Sequence, residues 1–257
     1  MSTNRKKRGF FITFEGGEGS GKSSQINTLV EKFNAIDEKV TVTREPGGSA
    51  GGEAVRHVLL SGAAESLGSE MEAILFFAAR SDNVETIIKP ALENGSHVLC
   101  DRFFDSTRVY QGASGTANDE LLNSLERVVC EDVRPDLTII IDIDPREGLA
   151  RAEKRRGSDT EPDRFEKETL ELQDKRRAAY LALAKREPER CVVVNGMGKP
   201  EQVTERITNV IQERLGLFKP AAKKEISGSI LFTRKLKNTS ANATIDAVAG
   251  KGSASSG

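Results

Sequence analysis

Phe10 to Gln25 read FFITFEGGEGSGKSSQ, and the rest of the chain follows from this stretch. Phe10-Phe11-Ile12-Thr13-Phe14 is short and bulky enough for a strand buried on both faces, and Gly16, Gly17, Gly19 and Gly21 then break the run. Ile26, Leu29, Val30 and Phe33 recur afterwards at helical spacing. Strand, glycine loop and helix thus surround Gly16-x-x-x-x-Gly21-Lys22-Ser23, the phosphate-binding loop pattern in the context that gives it meaning. Glycines let backbone N–H groups curl round a polyphosphate, and the helix N-terminus adds partial positive charge. The candidate phosphate contacts are Gly16, Gly17, Glu18, Gly19, Ser20, Gly21, Lys22, Ser23 and Ser24. Lys22 would reach the outer phosphates and the Ser23 hydroxyl would ligate Mg²⁺. The rival reading is a glycine-rich turn with no ligand.

The bulk numbers narrow the classes. A chain of 257 residues buries a sizeable core, as one α/β domain with a tail. A formal net charge of -1 gives no global basic field that would argue for nucleic acid. No apolar run reaches the length of a membrane span, and the N-terminus has no signal-peptide core, so the expectation is a cytoplasmic protein. Cys100, Cys130 and Cys191 are too scattered for a disulfide framework or zinc site and read as buried free thiols.

Five apolar runs read as strands: Gly9 to Glu15, Lys39 to Thr43, Ser96 to Asp101, Leu137 to Ile143 and Cys191 to Val194. Helical patterns alternate with them, which predicts an α/β fold of three layers, a five-stranded parallel sheet flanked by helices. Ligands of such sheets bind at the carboxyl ends of the strands. The predicted domain covers 9–217. Arg5 to Arg8 lies in a basic arm over 1–8, and the Ala, Ser, Gly, Asn and Lys composition from Phe218 predicts a basic, disordered tail over 218–257.

The chemistry-bearing residues gather at those strand ends. Thr43-Arg44-Glu45-Pro46-Gly47-Gly48 forces a loop after the second strand and puts Arg44 across the crevice from the glycine loop. On the helix expected over Ser69 to Glu93, Phe76 and Arg80 share a face, although on pattern alone Phe76 reads equally as core and Arg80 as a rim charge. The third strand ends in Asp101-Arg102: a carboxylate beside Lys22 and the metal site, and an arginine suited to a second anion. Ser106, Thr107 and Tyr110 follow on a short helix. Arg151, Lys154, Arg155 and Arg156 run into a Gly, Ser, Asp and Pro cluster, so 151–164 reads either as a solvated basic loop or as a lid over a triphosphate.

Cations for two anions imply phosphoryl transfer from ATP to a phosphorylated small molecule, driven by positioning and charge neutralisation. A phosphate acceptor is already largely ionised at neutral pH and needs little general base. His57 and His97, the only histidines, both read as packed in apolar surroundings.

The set Phe14-Glu15-Gly16 to Ser24, Thr43 to Gly48, Phe76 to Arg80, Asp101-Arg102 with Ser106, Tyr110-Gln111-Gly112 and Asp163-Arg164-Phe165-Glu166 resembles the thymidylate kinases of the bacterial type with a basic lid. The resemblance covers roughly residues 9–215 and implies transfer of the ATP γ-phosphoryl group to dTMP, with Mg²⁺ and a homodimer. It implies that Glu18 holds the acceptor 3′-hydroxyl, that Arg44 and Arg102 hold the dTMP phosphate, and that Phe76 stacks on thymine while Arg80 donates to its O4. Ser106 and Thr107 fall at base-contacting positions, Tyr110 disfavours a ribose 2′-hydroxyl, and Asp101 stands beside Mg²⁺. With Lys22 and Arg102, the catalytic charges are the lid arginines Arg151, Arg155 and Arg156, because Gly19 stands where the other branch of the family carries an arginine. The choice between Arg155 and Arg156 stays open. Arg108 departs from the expected neutral residue and is expected to perturb the acceptor side. The rivals are a kinase for another nucleotide or nucleoside, and a nucleotide-hydrolysing switch or motor, against which stands the lack of an Asn-Lys-x-Asp motif.

Overall fold

A computed structural model describes residues 8–156, 165 and 169–218, without the Arg156 side chain. The rest of the predicted arm, the lid tract after Arg156 (apart from Phe165) and the tail from 219 lie outside the described residues.

The strands β1 (Phe11–Glu15), β2 (Val40–Arg44), β3 (His97–Asp101), β4 (Leu137–Asp142) and β5 (Cys191–Asn195) are all parallel, in the order β2-β3-β1-β4-β5. Phe14 pairs with Asp101 and with Ile139, and Arg44 pairs with Asp101, so the carboxyl ends of β1, β2 and β3 finish level. That edge, beside the central strand, is where an open α/β sheet offers its crevice.

Alternation along β1 explains the layers. Ile12 and Phe14 face α1 (Lys22–Asn34) and α9 (Pro200–Leu215) through Ile26, Leu29, Phe33, Val203, Ile207 and Ile211. Phe11 points the other way, into a core with Phe77 of α3 (Gly68–Asn83), Leu92 of α4 (Lys89–Glu93) and Leu122 of α6 (Asp119–Cys130). Thr13 shares the Phe11 face but bonds Thr138 at 2.7 Å, and Glu15 follows it. That face therefore carries a polar seam beneath the crevice. The remaining helices are α2 (Ala50–Leu60), α5 (Phe104–Thr107), α7 (Pro145–Arg156) and α8 (Leu170–Arg186).

Three departures from the sequence reading have local causes. The helix expected over Ser69 to Glu93 is interrupted by a wide π turn at Val84–Ile88. Pro90 supplies no N–H and its ring crowds the carbonyl four residues back, so the turn before it opens. α2, which the sequence pattern alone runs from about Glu53 to Leu60, starts three residues earlier because Ser49 caps it, accepting from the Gly52 N–H at 3.2 Å. Phe218, placed by composition in the tail, is buried with its ring 5.0 Å from that of Phe33.

Candidate active site

The glycine loop joins β1 to α1 and closes on Lys22, whose ammonium donates to the carbonyls of Gly16 (3.1 Å) and Gly17 (3.0 Å) and to Ser20 Oγ (3.2 Å). Burial, helped by the Arg102 charge, lowers its pKa to about 8 against the pull of Asp101, Glu18 and Glu15. Gly19 has a φ of 65° and lies against α7: a Cβ there would sit 1.8 Å from the Gly148 carbonyl oxygen. An arginine at this position therefore has no room while α7 stays in place. Ser23 Oγ, in the first turn of α1, donates to Asp101 Oδ2 at 2.5 Å, and Ser24 beside it is exposed.

Arg102 takes a left-handed backbone conformation, φ 69°, sparsely populated by residues other than glycine. The turn sends its guanidinium back over the loop, where Nη2 donates to Glu18 Oε1 at 2.6 Å. Its Nη1 donates to the Gly16 carbonyl at 3.1 Å, Ser106 Oγ at 3.1 Å and the Tyr180 hydroxyl at 3.3 Å. Tyr110 donates its hydroxyl to the same Glu18 oxygen at 3.0 Å. Burial pushes the Glu18 carboxyl up, but Arg102, then Lys22 and the Tyr110 bond, together with Arg176, hold it below the ordinary value.

Arg80 is 1% exposed and donates from Nε to Glu45 Oε2 at 2.6 Å and from Nη2 to Thr107 Oγ1 at 3.1 Å. Asn83 completes the arrangement, giving its amide to Glu45 Oε1 at 3.1 Å and accepting from Thr43 at 2.7 Å. Among the described residues Arg80 Nη1 is buried with no hydrogen-bond partner.

A cavity of about 280 Å³ opens beside the loop, walled by Glu18, Ser23, Arg44, Phe76, Asp101, Arg102, Ser106, Thr107, Tyr110 and Arg155 together with Glu45, Pro46, Arg56, Leu60, Gln111 and Phe165. Most of the sequence-predicted residues are therefore brought to one place. Arg44, exposed, bonds Glu53 at 2.9 Å on the cavity's rim. Of the two aromatic neighbours on α3, Phe77 goes to the core while Phe76 reaches the cavity.

Others fall elsewhere. Arg151 donates to Glu147 at 2.8 Å and to the Gly196 carbonyl at 3.3 Å, pinning α7 to the loop after β5. Arg80 stands one layer behind the wall, and the Arg156 side chain lies outside the described residues. His97 is buried, as expected, accepting from the Phe10 N–H at 3.0 Å, but His57 is exposed near the end of α2 rather than packed in apolar surroundings. Arg108 corrects a further expectation: it turns from the acceptor side to a cluster with Glu126 (2.7 Å), Glu187 (2.7 Å) and Asp105 (3.4 Å).

Residues without a role in the sequence reading hold the site together. Glu15 accepts from the Phe103 N–H, Ser106 and Tyr180. Arg176 lies over Tyr110, and Glu45 and Asn83 anchor Arg80. Glu15 and Glu45 stand inside quoted motifs, which was their only signal; Tyr180 and Arg176 had none beyond an α8 pattern.

The comparisons point one way. The thymidylate kinase family profile matches residues 14–207. A thymidylate kinase of Rhodopseudomonas palustris is 51% identical over 219 residues, 85% of this chain and 94% of that protein. One from Nitrobacter winogradskyi is 52% identical over 208 residues, 81% of this chain and 90% of that protein. The crystal structure of thymidylate kinase from Ehrlichia chaffeensis superposes with a TM-score of 0.65 at 33% identity, covering 80% of this chain and all of that one. Family profile, relatives and structural neighbour agree, so the chain belongs to the thymidylate kinase family and transfers the γ-phosphoryl group of ATP to dTMP.

Proposed function

We propose that the glycine loop holds ATP, that the adjoining cavity holds dTMP, and that Glu18 is the residue common to both. The observation that carries this reading is the cavity itself, to which the loop, β2, α3, β3, the turn after α5 and α7 each contribute a wall residue. Two phosphate-bearing substrates repel one another, and the cations are divided to suit them: Arg44 and Arg102 on the cavity wall toward the acceptor, Lys22 inside the glycine loop toward the donor, and Arg155 on the wall toward the phosphoryl group in transit. Arg102 and Glu18 form an ion pair at 2.6 Å. Turning to a dTMP phosphate would release the Glu18 carboxylate to the sugar 3′-hydroxyl.

Phe76 would stack on thymine, with Ser106 and Thr107 lining its polar edge. Arg80, which the resemblance sends to O4, stands behind that wall and donates to Thr107, so it would bear on the base through Thr107. Of the lid arginines, Arg155 is the one the cavity supports as the partner of the transferring phosphoryl group. Arg156 remains a second candidate from sequence, and Arg151 is assigned to holding α7.

Ser23 and Asp101 fit Mg²⁺: a hydroxyl and a carboxylate are hard oxygen donors, and this ion is held by one or two carboxylates plus substrate phosphates. Among the described residues no cluster of three or more acidic, histidine or cysteine side chains offers a protein-only cage. When bound, Mg²⁺ would neutralise charge building on the phosphate oxygens. Three buried free thiols suit a reducing, cytoplasmic setting, and no described helix is long and apolar enough to cross a membrane.

The test is ADP formation from Mg²⁺-ATP with dTMP, dUMP, dCMP, dGMP, AMP, thymidine or no acceptor, in the full chain and in Arg102→Met. Stimulation chiefly by dTMP is expected. Losing a charged hydrogen bond of about 3 kcal/mol should lower kcat/KM for dTMP about a hundredfold while ATP affinity changes little. An equal loss of ATP binding would move Arg102 to the donor side and overturn the division.

A further inference from the structure

Tyr110 lies in a π turn, Arg108–Ala113, a rare geometry frequent at functional sites. Its ring is walled by three groups. The Arg176 guanidinium carbon is 3.9 Å from the ring centroid, Arg102 is at 5.1 Å, and Phe165 packs edge-on at 5.5 Å. Arg176 stands on α8, one turn before Tyr180, and is 3% exposed. Its Nε reaches Ser114 Oγ at 3.4 Å, and that hydroxyl sits 3.2 Å from the Tyr110 carbonyl oxygen. Arg176 thus grips the Tyr110 ring directly and its backbone through Ser114. It is absent from the cavity wall, whereas Tyr110 belongs to it and joins Glu18 there.

Arg176 thus bears on both groups that meet at this part of the wall, the Tyr110 ring by contact and Glu18 by charge. We propose that Arg176 is a specificity-determining positioning residue: by clamping Tyr110 it makes rigid the wall that rejects a ribose 2′-hydroxyl beside the acceptor sugar. The proposal rests on the assignment of the cavity to dTMP. A fixed wall discriminates by overlap, which penalises the larger sugar alone. A ring free to move aside admits the 2′-hydroxyl while contacts to the deoxy sugar persist.

The experiment compares kcat/KM for dTMP and for 5-methyluridine 5′-monophosphate, which differ only at the 2′ position, in the full chain, in Arg176→Met and in Arg176→Lys. Wild type is expected to favour the deoxy acceptor. Arg176→Met, which keeps bulk and removes charge, is expected to reduce that ratio about tenfold, with most of the change in the ribonucleotide. Arg176→Lys keeps a cation but not the flat stack and is expected to reduce it about threefold. Should Arg176→Met not fold, the lysine variant carries the test, and an unchanged ratio in it overturns the proposal. So does a uniform fall for both acceptors in either variant, which is what a purely structural arginine would give. A wild type with no preference overturns the proposal, as does a preference that both variants preserve; a wild type that uses neither acceptor overturns the cavity assignment, and the proposal with it.

Discussion

Glu15 ends β1 with its carboxylate fully buried, accepting from the Phe103 N–H at 2.8 Å, Ser106 Oγ at 2.6 Å and the Tyr180 hydroxyl at 3.1 Å. Burial pushes its carboxyl up to about 7, with Asp105 adding to the shift and Ser106 and Arg102 opposing it. The shift runs opposite to that of a salt-bridged carboxylate. Between the ordinary value of 4.5 and about 7 the folded chain keeps a proton that the unfolded chain has released, so stability falls as pH rises through that window and levels off above it. Glu15→Gln cannot ionise. The melting temperature of the variant relative to wild type should therefore climb between about pH 5 and about pH 8, as read by thermal denaturation. A difference that stays constant over that range would show that Glu15 does not titrate there. The same residue marks a limit of sequence reading. Lys22 was legible because its partners, Gly16, Gly17 and Ser20, lie within a loop of fixed pattern. Two Glu15 partners stand 88 and 165 residues away, and no periodicity reports such a meeting.

The contact between the glycine loop and α7 is the least forgiving junction of elements near the site. Gly19 and Gly148 face one another: a Cβ on Gly19 would lie 1.8 Å from the Gly148 carbonyl, and one on Gly148 would lie 2.3 Å from the Glu18 carbonyl. An alanine at Gly148 would favour the isolated helix by about 1 kcal/mol, yet in the folded chain it must push α7 or the loop aside. Displacement of Glu18 and Gly19 spoils the backbone cradle, so Gly148→Ala is expected to weaken ATP binding about tenfold by calorimetric titration, with helix content unchanged. Unaltered affinity would mean that loop and helix are not coupled. The five strands were legible to within two residues, because apolar runs bounded by turn residues mark buried strands with little ambiguity. The π turns at Val84–Ile88 and Arg108–Ala113 were not, since one added residue per turn barely disturbs an apolar stripe. The second of these carries Tyr110, so element-level reading stopped at a residue of the cavity wall that bonds Glu18.

At the scale of the whole molecule, α3 presents two faces with different business. Phe76 and Arg80 point inward to the cavity beside the glycine loop and its supporting layer. On the outer side Leu67, Met71 and Ile74 recur at helical spacing with exposures of 57, 41 and 39%, and Val58 on neighbouring α2 adds another apolar group at 40%. A stripe of large apolar side chains on the outside of a site-bearing helix is the kind of surface a second copy would cover, and this supports the homodimer proposed from resemblance. Pairing through it would also brace α3 from behind and hold Phe76 and Arg80 against the cavity. Sedimentation equilibrium of the full chain is expected to give about 56 kDa, twice the 27.9 kDa chain. Met71→Glu places a charge that the interface would have to desolvate, and is expected to run at the single-chain mass. Because α3 then loses its brace, the same variant should raise KM for dTMP several-fold and leave KM for ATP within about twofold, since the glycine loop hangs on β1 and α1 rather than on α3. A wild type that sediments at the single-chain mass refutes the dimer, whereas a monomeric variant with unchanged KM for dTMP keeps the dimer and refutes the brace.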